Sequence, residues 1–166
     1  MQQVRIIKHE NILPEEILEV CNIKSSFGEY SIKSQKEWMN NHLKKADLHF
    51  LLYEKNELIA YLNLFKIKIL INNSSIDALG VGNVCSKTSG FGYGMKLMCE
   101  LRKFILSNNE IGYLFCKNNL VEFYKKYGWN IVKMDVAIGL QNNSIKSMLM
   151  NFKGKLETLD YNGRLF

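Results

Sequence analysis

The stretch Val84-Cys85-Ser86-Lys87-Thr88-Ser89-Gly90-Phe91-Gly92-Tyr93-Gly94-Met95-Lys96-Leu97-Met98 reads as the end of a strand, a glycine-rich loop and the start of a helix. Ahead of it, Ile76 to Ser86 carries Ile, Leu, Val and Cys, a composition that suits a half-buried strand. Behind it, Leu97, Met98, Leu101, Phe104 and Ile105 recur at three- and four-residue spacing, one apolar stripe on a helix running to about Asn108. Gly90, Gly92 and Gly94 remove the side chains that would keep an anion from the backbone. Free N–H groups at a helix N-terminus, with the helix dipole, then suit a phosphate.

Two familiar nucleotide loops do not fit. A dinucleotide fingerprint needs a third glycine three residues after the second, where this chain has Leu97 counted from Gly94, and no acidic residue ends a following strand at the right distance. The triphosphate-binding loop fails because no Gly-Lys-Ser/Thr follows the glycines.

A second segment, Leu114-Phe115-Cys116-Lys117-Asn118-Asn119-Leu120-Val121-Glu122-Phe123-Tyr124-Lys125-Lys126-Tyr127-Gly128-Trp129, reads as a short strand, a turn with Asn at the cap, and a helix stopped by Gly128. Together the two segments resemble the GNAT superfamily of acyl-CoA-dependent N-acyltransferases. In that superfamily the acyl-CoA loop has the form Arg/Gln-x-x-Gly-x-Gly/Ala, and a later helix carries Phe-Tyr-x-x-x-Gly-Phe. The loop matches Ser89-Gly90-Phe91-Gly92-Tyr93-Gly94, and the later motif matches Phe123-Tyr124-Lys125-Lys126-Tyr127-Gly128-Trp129. The chain departs from the pattern at Ser89, which stands where Arg or Gln is usual. Backbone amides would then hold the pyrophosphate, with Lys87 or Lys96 supplying charge.

The resemblance implies a single α/β domain over residues 1–166: a mixed, mostly antiparallel central sheet flanked by helices and splayed at its two central parallel strands. It implies an N-acetyltransferase that moves an acetyl or other acyl group from acetyl-CoA to a primary amine by direct attack. Pantetheine would lie along Asn83, Val84 and Cys85, the pyrophosphate on Ser89, Gly90, Phe91, Gly92, Tyr93 and Gly94, and Asn119 would be a further cofactor contact as well as a candidate cap. Tyr124 matches the general-acid tyrosine. A phenol suits that task because its unperturbed pKa of about 10 keeps it protonated at neutral pH. Such donors contribute about 10² to 10⁴ in rate. For the base that relieves the attacking amine of its proton, Glu29 is the first candidate and Asp77 the second.

Composition bounds the reading. A chain of 166 residues with 47% hydrophobic residues and one proline is the size of one domain with a substantial core. No apolar run reaches about 18 residues and Met1-Gln2-Gln3-Val4-Arg5 lacks a signal-peptide pattern, so a cytoplasmic protein without a membrane partner is expected. Cys21, Cys85, Cys99 and Cys116 show no Cys-x-x-Cys pairing and read as reduced, mostly buried small hydrophobes; no metal is expected. His9, His42 and His49 read as surface or satisfied polar residues. The net charge of +6 is spread over lysines. It suits attraction of anionic CoA, and no nucleic-acid motif accompanies it.

In chain order, Val4 to His9 alternates as a first strand, and Pro14 with Glu15 and Glu16 opens a helix burying Ile17, Leu18 and Cys21. Ser34-Gln35-Lys36-Glu37 has the form of a capping box opening a second helix, with Trp38, His42 and Leu43 along one side. Leu48 to Tyr53 and Leu58 to Ile71 make a hairpin, and Asn72-Asn73-Ser74-Ser75 a second turn. Ile111 to Cys116 follows parallel to its predecessor. Ile131 to Ile138 and Ser147 to Phe152 are further strands, and Leu156 to Phe166 is ambiguous.

By resemblance the first two helices and their connection form the acceptor side. Phe27-Gly28-Glu29-Tyr30, Glu37-Trp38, Trp129 and the tail Leu159 to Phe166 loosely resemble the aminoglycoside 2'-N-acetyltransferase branch. That branch needs carboxylates for a polycationic sugar, whereas this chain has Gly80 on the central strand and Arg164 in the tail. With a net charge of +6, a neutral or anionic small-molecule amine fits better. A non-catalytic acyl-CoA-binding domain, a protein N-acetyltransferase and a homodimeric state stay open.

Overall fold

A computed structural model describes residues 2–26, 28, 30–132 and 144–166. It is an open mixed sheet with helices. Strands run at Gln2–Lys8 (β1), Leu48–Glu54 (β2), Glu57–Ile71 (β3), Ser74–Ser86 (β4), Gly112–Lys117 (β5), Asn130–Ile131 (β6), Ile145–Met150 (β7) and Leu159–Asp160 (β8). Helices run at Pro14–Ser26 (α1), Ile32–His42 (α2), Tyr93–Ser107 (α3) and Val121–Lys125 (α4). The strand order is β1-β2-β3-β4-β5-β7-β6, with β8 on β3. The packing divides into two compact units, residues 1–65 with 83–97 and residues 66–82 with 98–166. Strands β3 and β4 and helix α3 contribute to both.

The first unit is built on an antiparallel ladder, β1 on β2 and β2 on β3, with Phe50 opposite Leu62 and Leu51 opposite Tyr61. Phe50, Leu51, Leu52, Tyr61, Leu62 and Leu64 are wholly buried, on successive as well as alternate positions, so these strands are covered on both faces. The β2–β3 hairpin closes on Lys55 (φ 51°) and Asn56 (φ 64°). Two left-handed residues in a two-residue loop match the twist of the flanking strands.

Two sequence expectations shift here. The buried side of α1 is Glu16, Val20, Cys21 and Ile23, while Leu18 is 41% exposed. Glu16 goes inside because its carboxylate pairs with Arg5 at 2.6 Å and accepts the Leu13 N–H at 3.0 Å, which sets the helix's rotation. Helix α2 starts earlier than the capping-box reading placed it. Its cap is Ser31, whose Oγ accepts the Ser34 N–H at 3.2 Å, and Gln35 and Met39 form the buried side.

The second unit holds the parallel pair. Leu79, Gly80 and Val81 of β4 face Gly112, Tyr113 and Leu114 of β5, and both strands run on beyond that short ladder, β4 to Ser86 and β5 to Lys117. Strand β7 lies antiparallel on β5, and β6 on β7. Asn72 clamps the tail: its Oδ1 accepts from Glu157 N at 2.8 Å and Thr158 N at 3.0 Å, and its Nδ2 donates to Lys155 O at 2.8 Å. The ambiguous end of the sequence therefore resolves into β8 and an aromatic cluster. Phe166 lies 6.3 Å from Tyr113, 5.3 Å from Phe115 and 5.8 Å from Tyr161 between ring centroids.

The turn expected to carry an Asn cap is a 3-10 turn, Asn118–Leu120, running into α4; its cap residues are Lys117 and Leu120, and neither makes a side-chain cap bond. Asn118 instead receives a backbone role, its N–H donating to Ser144 O at 2.8 Å. The strand expected at Ile131 to Ile138 is seen at Asn130–Ile131; the remainder from 133 on lies outside the described residues.

Candidate active site

The glycine loop joins β4 to α3, with Gly94 already inside the helix. Gly90 (φ 84°) and Gly92 (φ 75°) occupy the left-handed region that side chains resist. Gly92 O accepts the Lys96 N–H at 3.1 Å, closing the first turn of α3. Ser89, Gly90 and Phe91 are exposed, Phe91 at 68%. The two lysines expected to lend charge each face a carboxylate: Lys87 pairs with Glu57, and Lys96 with Glu54 at 2.6 Å. Lys96 Nζ also stands 5.6 Å from the centre of the Tyr93 ring.

Immediately before the loop, β4 carries a left-handed residue inside a strand, Asn83 at φ 54°. Asparagine is among the few residues that tolerate this conformation. Its side chain is tied on both sides, Nδ2 donating to Asn63 Oδ1 at 3.0 Å and Oδ1 accepting from Lys24 Nζ at 3.1 Å. Asn63 is itself wholly buried, its Nδ2 donating to Leu48 O at 3.3 Å and lying 3.5 Å from His49 Nδ1. His49, also wholly buried, lies with Nδ1 at 2.6 Å from the Tyr61 hydroxyl and Nε2 at 2.9 Å from His9 Nδ1. A polar chain thus runs through the first unit from His9 to Lys24.

Lys24 and Asn83 open onto a cavity of about 580 Å³, lined also by Tyr30, Gln35, Trp38 and Cys85. That volume suits a small-molecule site. Burial lowers the Lys24 pKa, against the Cys85 and Cys21 thiols, which raise it. Its ammonium lies 4.7 Å from the centre of the Trp38 ring, which stacks on His42. Burial pushes the Cys85 thiol up to about 12, with Lys24 opposing, so it stays protonated and unreactive at neutral pH. A second cavity of about 320 Å³ is lined by Glu19, Asn22, Glu57 and Lys87 among others.

Of the residues expected to act, Asn83, Val84 and Cys85 line the larger cavity. Tyr124 is buried on α4 in the second unit, beside Phe123 at 5.2 Å and Trp129 at 6.4 Å between ring centroids. Burial, and then the Cys116 thiol, lift its phenol to about 12. Asn119 is exposed. Glu29 lies outside the described residues. Asp77 is an exposed partner of Lys68 at 2.6 Å, a surface pair and not a buried base. Gly80 cannot host an acidic side chain as the chain stands, because a Cβ there would lie 2.7 Å from the Phe166 ring. Sequence reasoning passed over Lys24 altogether. One signal pointed that way: Asn63 and His49 are polar interruptions of apolar strands, and buried polar groups demand partners.

No protein-family profile matches the chain, and no curated protein matches it. Solved structures do. ElaA from Escherichia coli is similar over 90% of this chain and 99% of its own, at 15% identity and a TM-score of 0.64. An acyl-CoA N-acyltransferase from Pseudomonas aeruginosa is similar over 89% and 99%, at 17% identity and a TM-score of 0.63. An N-acetyltransferase from Staphylococcus aureus Mu50 is similar over 90% and 97%, at 14% identity and a TM-score of 0.61. The fold of this chain is that of the GNAT acyl-CoA N-acyltransferases. Among the described residues, no helix is long and apolar enough to cross a membrane, and no group of three or more His, Cys, Asp or Glu side chains is placed to hold a metal ion.

Proposed function

We propose that this protein is an N-acyltransferase that carries an acyl group, acetyl in the simplest case, from acyl-CoA to a primary amine of a small molecule. One observation carries the reading. A glycine loop with Gly90 and Gly92 in left-handed geometry opens α3 directly after a strand whose end, Asn83 to Cys85, walls a ligand-sized cavity. In this reading, Asn83, Val84 and Cys85 offer backbone groups to pantetheine, and the amides of Ser89, Gly90, Phe91, Gly92, Tyr93 and Gly94 receive the pyrophosphate at the positive end of α3.

The amine attacks the thioester carbon directly: an N–C bond forms, the C–S bond breaks, and the amine's proton leaves to a base or water. Glu29 remains the candidate base. A protonated Cys85 supports direct attack, since a thiol held up to about 12 is a poor acyl acceptor at neutral pH. Tyr124 is assigned the proton delivered to the departing sulfur. Its elevated pKa, about 12, supports a phenol that is always protonated before turnover. A second reading, a non-catalytic acyl-CoA-binding domain, draws on Ser89 and on the ion pairs that occupy Lys87 and Lys96.

Thermal melting with acetyl-CoA, free CoA and NAD tests the premise. A ligand of the native state adds about 2.7 kcal/mol at a hundredfold excess over its dissociation constant. A rise with acetyl-CoA and CoA but not NAD is expected, followed by amine-dependent thiol release. No rise at millimolar acetyl-CoA defeats both readings; a rise without thiol release from any amine favours the second.

A further inference from the structure

We infer that the cavity walled by Lys24, Trp38 and Asn83 receives an acceptor amine that carries a carboxylate, an amino acid or a molecule of that size, with the Lys24 ammonium as the carboxylate's anchor. The inference rests on the acyltransfer reading for the amine and not for the carboxylate site.

The argument begins with what surrounds Lys24. Among the described residues no carboxylate pairs with it, in contrast to Lys87 and Lys96 on the same unit. Its partners are neutral or aromatic: Asn83 Oδ1 at 3.1 Å, the Trp38 ring at 4.7 Å, and the Cys85 and Cys21 thiols, both held protonated by burial. A half-buried ammonium without a carboxylate partner among the described residues is one that an anion in the cavity would stabilise.

The side chain is also held in place. Asn83 can turn only its Oδ1 toward Lys24, because its Nδ2 is committed to Asn63 Oδ1 at 3.0 Å. Asn63 is fixed in turn by Leu48 O at 3.3 Å. Such support pre-organises the donor, which is what makes one charge-assisted bond selective. A long cationic amine would meet this ammonium directly and be repelled. A carboxylate on the acceptor turns that repulsion into attraction, while Trp38 and Tyr30 offer flat apolar surface to the rest of the molecule.

The test has two arms. In the first, N-acetyl-L-phenylalanine and its amide are titrated without CoA and followed by thermal melting. The acid should bind at least tenfold more tightly than the amide to the wild type, and Lys24→Gln should erase that preference, whereas Lys24→Arg should keep part of it. In the second arm, amine-dependent thiol release is compared for free amino acids and their amides. Lys24→Gln should raise KM for the acids by about 10- to 100-fold, the worth of one charge-assisted bond, with kcat and the amides little changed.

Equal binding of acid and amide by the wild type overturns the inference. So does a loss of CoA affinity in Lys24→Gln, which would make Lys24 a CoA contact, or an equal fall in kcat for acids and amides, which would place it at the reacting atoms. Preference for the acid in the first arm, with no acetyl-CoA shift and no thiol release, would keep the carboxylate site and defeat acyl transfer. Lys24→Arg, expected to fold as the wild type does, guards against misreading an unfolded Lys24→Gln.

Discussion

Acidification should weaken this fold through one histidine. His49 has no exposed surface, and both its ring nitrogens are engaged, Nδ1 with the Tyr61 hydroxyl at 2.6 Å and Nε2 with His9 Nδ1 at 2.9 Å. A second proton would have to go to a ring nitrogen already engaged in one of these contacts. Burial first, with His9 and Lys24 adding to it and Asp47 opposing, lowers the His49 pKa from 6.5 to about 3. The sign follows from proton counting. Between about pH 6.5 and 3 the unfolded chain binds a proton at this site that the folded chain refuses, so stability is fully present above pH 6.5 and falls with acid. One proton corresponds to about 1.4 kcal/mol per pH unit, or about 2.7 kcal/mol lost between pH 6.5 and 4.5.

The measurement is urea unfolding at pH 7.0, 5.5 and 4.5 for the wild type and for His49→Gln. His9, also lowered by burial, and the carboxylates titrate in both proteins, so the difference in slope isolates His49. The variant should start about 1–3 kcal/mol less stable at pH 7, having lost a buried hydrogen-bonding partner. It should then lose less on acidification, its curve approaching that of the wild type by about 1 kcal/mol per pH unit. Parallel curves would refute the reasoning and mean that His49 is protonated in the folded state or solvated as it titrates.

Three further outcomes are expected. Tyr124→Phe should lower the rate of thiol release by about 10² to 10⁴ while acetyl-CoA still raises the melting temperature as before; an unchanged rate removes Tyr124 from proton delivery. Gly80→Ala should cost about 1–3 kcal/mol in chemical denaturation, because its Cβ would lie 2.7 Å from the Phe166 ring, and most of that cost should vanish in a Phe166→Ala background. Iodoacetamide followed by mass spectrometry at pH 8 should label exposed Cys99 first and Cys85 about 10² to 10³ times more slowly, since so little of Cys85 is thiolate; comparable rates would contradict its raised pKa.

What the sequence disclosed was what local chemistry dictates. Alternate glycines between an apolar strand and an apolar helical stripe announced the loop, and paired asparagines at 72 and 73 announced a turn because both take positive φ. The phase of α1 was illegible, because Glu16 outcompeted Leu18 for the interior through a partner, Arg5, on another element. A plausible capping box at Ser34 lost to Ser31 three residues earlier, and the cap positions expected for Asn118 and Asn119 fall instead on Lys117 and Leu120. The Lys24 cavity was harder still. Residues 9, 24, 49, 63 and 83 share no motif, and only the strand register and the left-handed turn at Asn83 bring them together. The strand, loop and helix start around the glycines and the short helix that carries Tyr124 were legible from local sequence, but not what lies beside them.

Asn63 has an implication for how such a protein changes over generations. It has no surface of its own, yet it dictates which way the Asn83 amide faces and so how Lys24 is presented to the cavity. A replacement there would alter what the cavity admits without altering one residue that a ligand touches. In the acceptor-site reading proposed above, selectivity is inherited partly through the interior, and a mutant library confined to the cavity wall would leave out one of the positions from which new substrate preferences can arise.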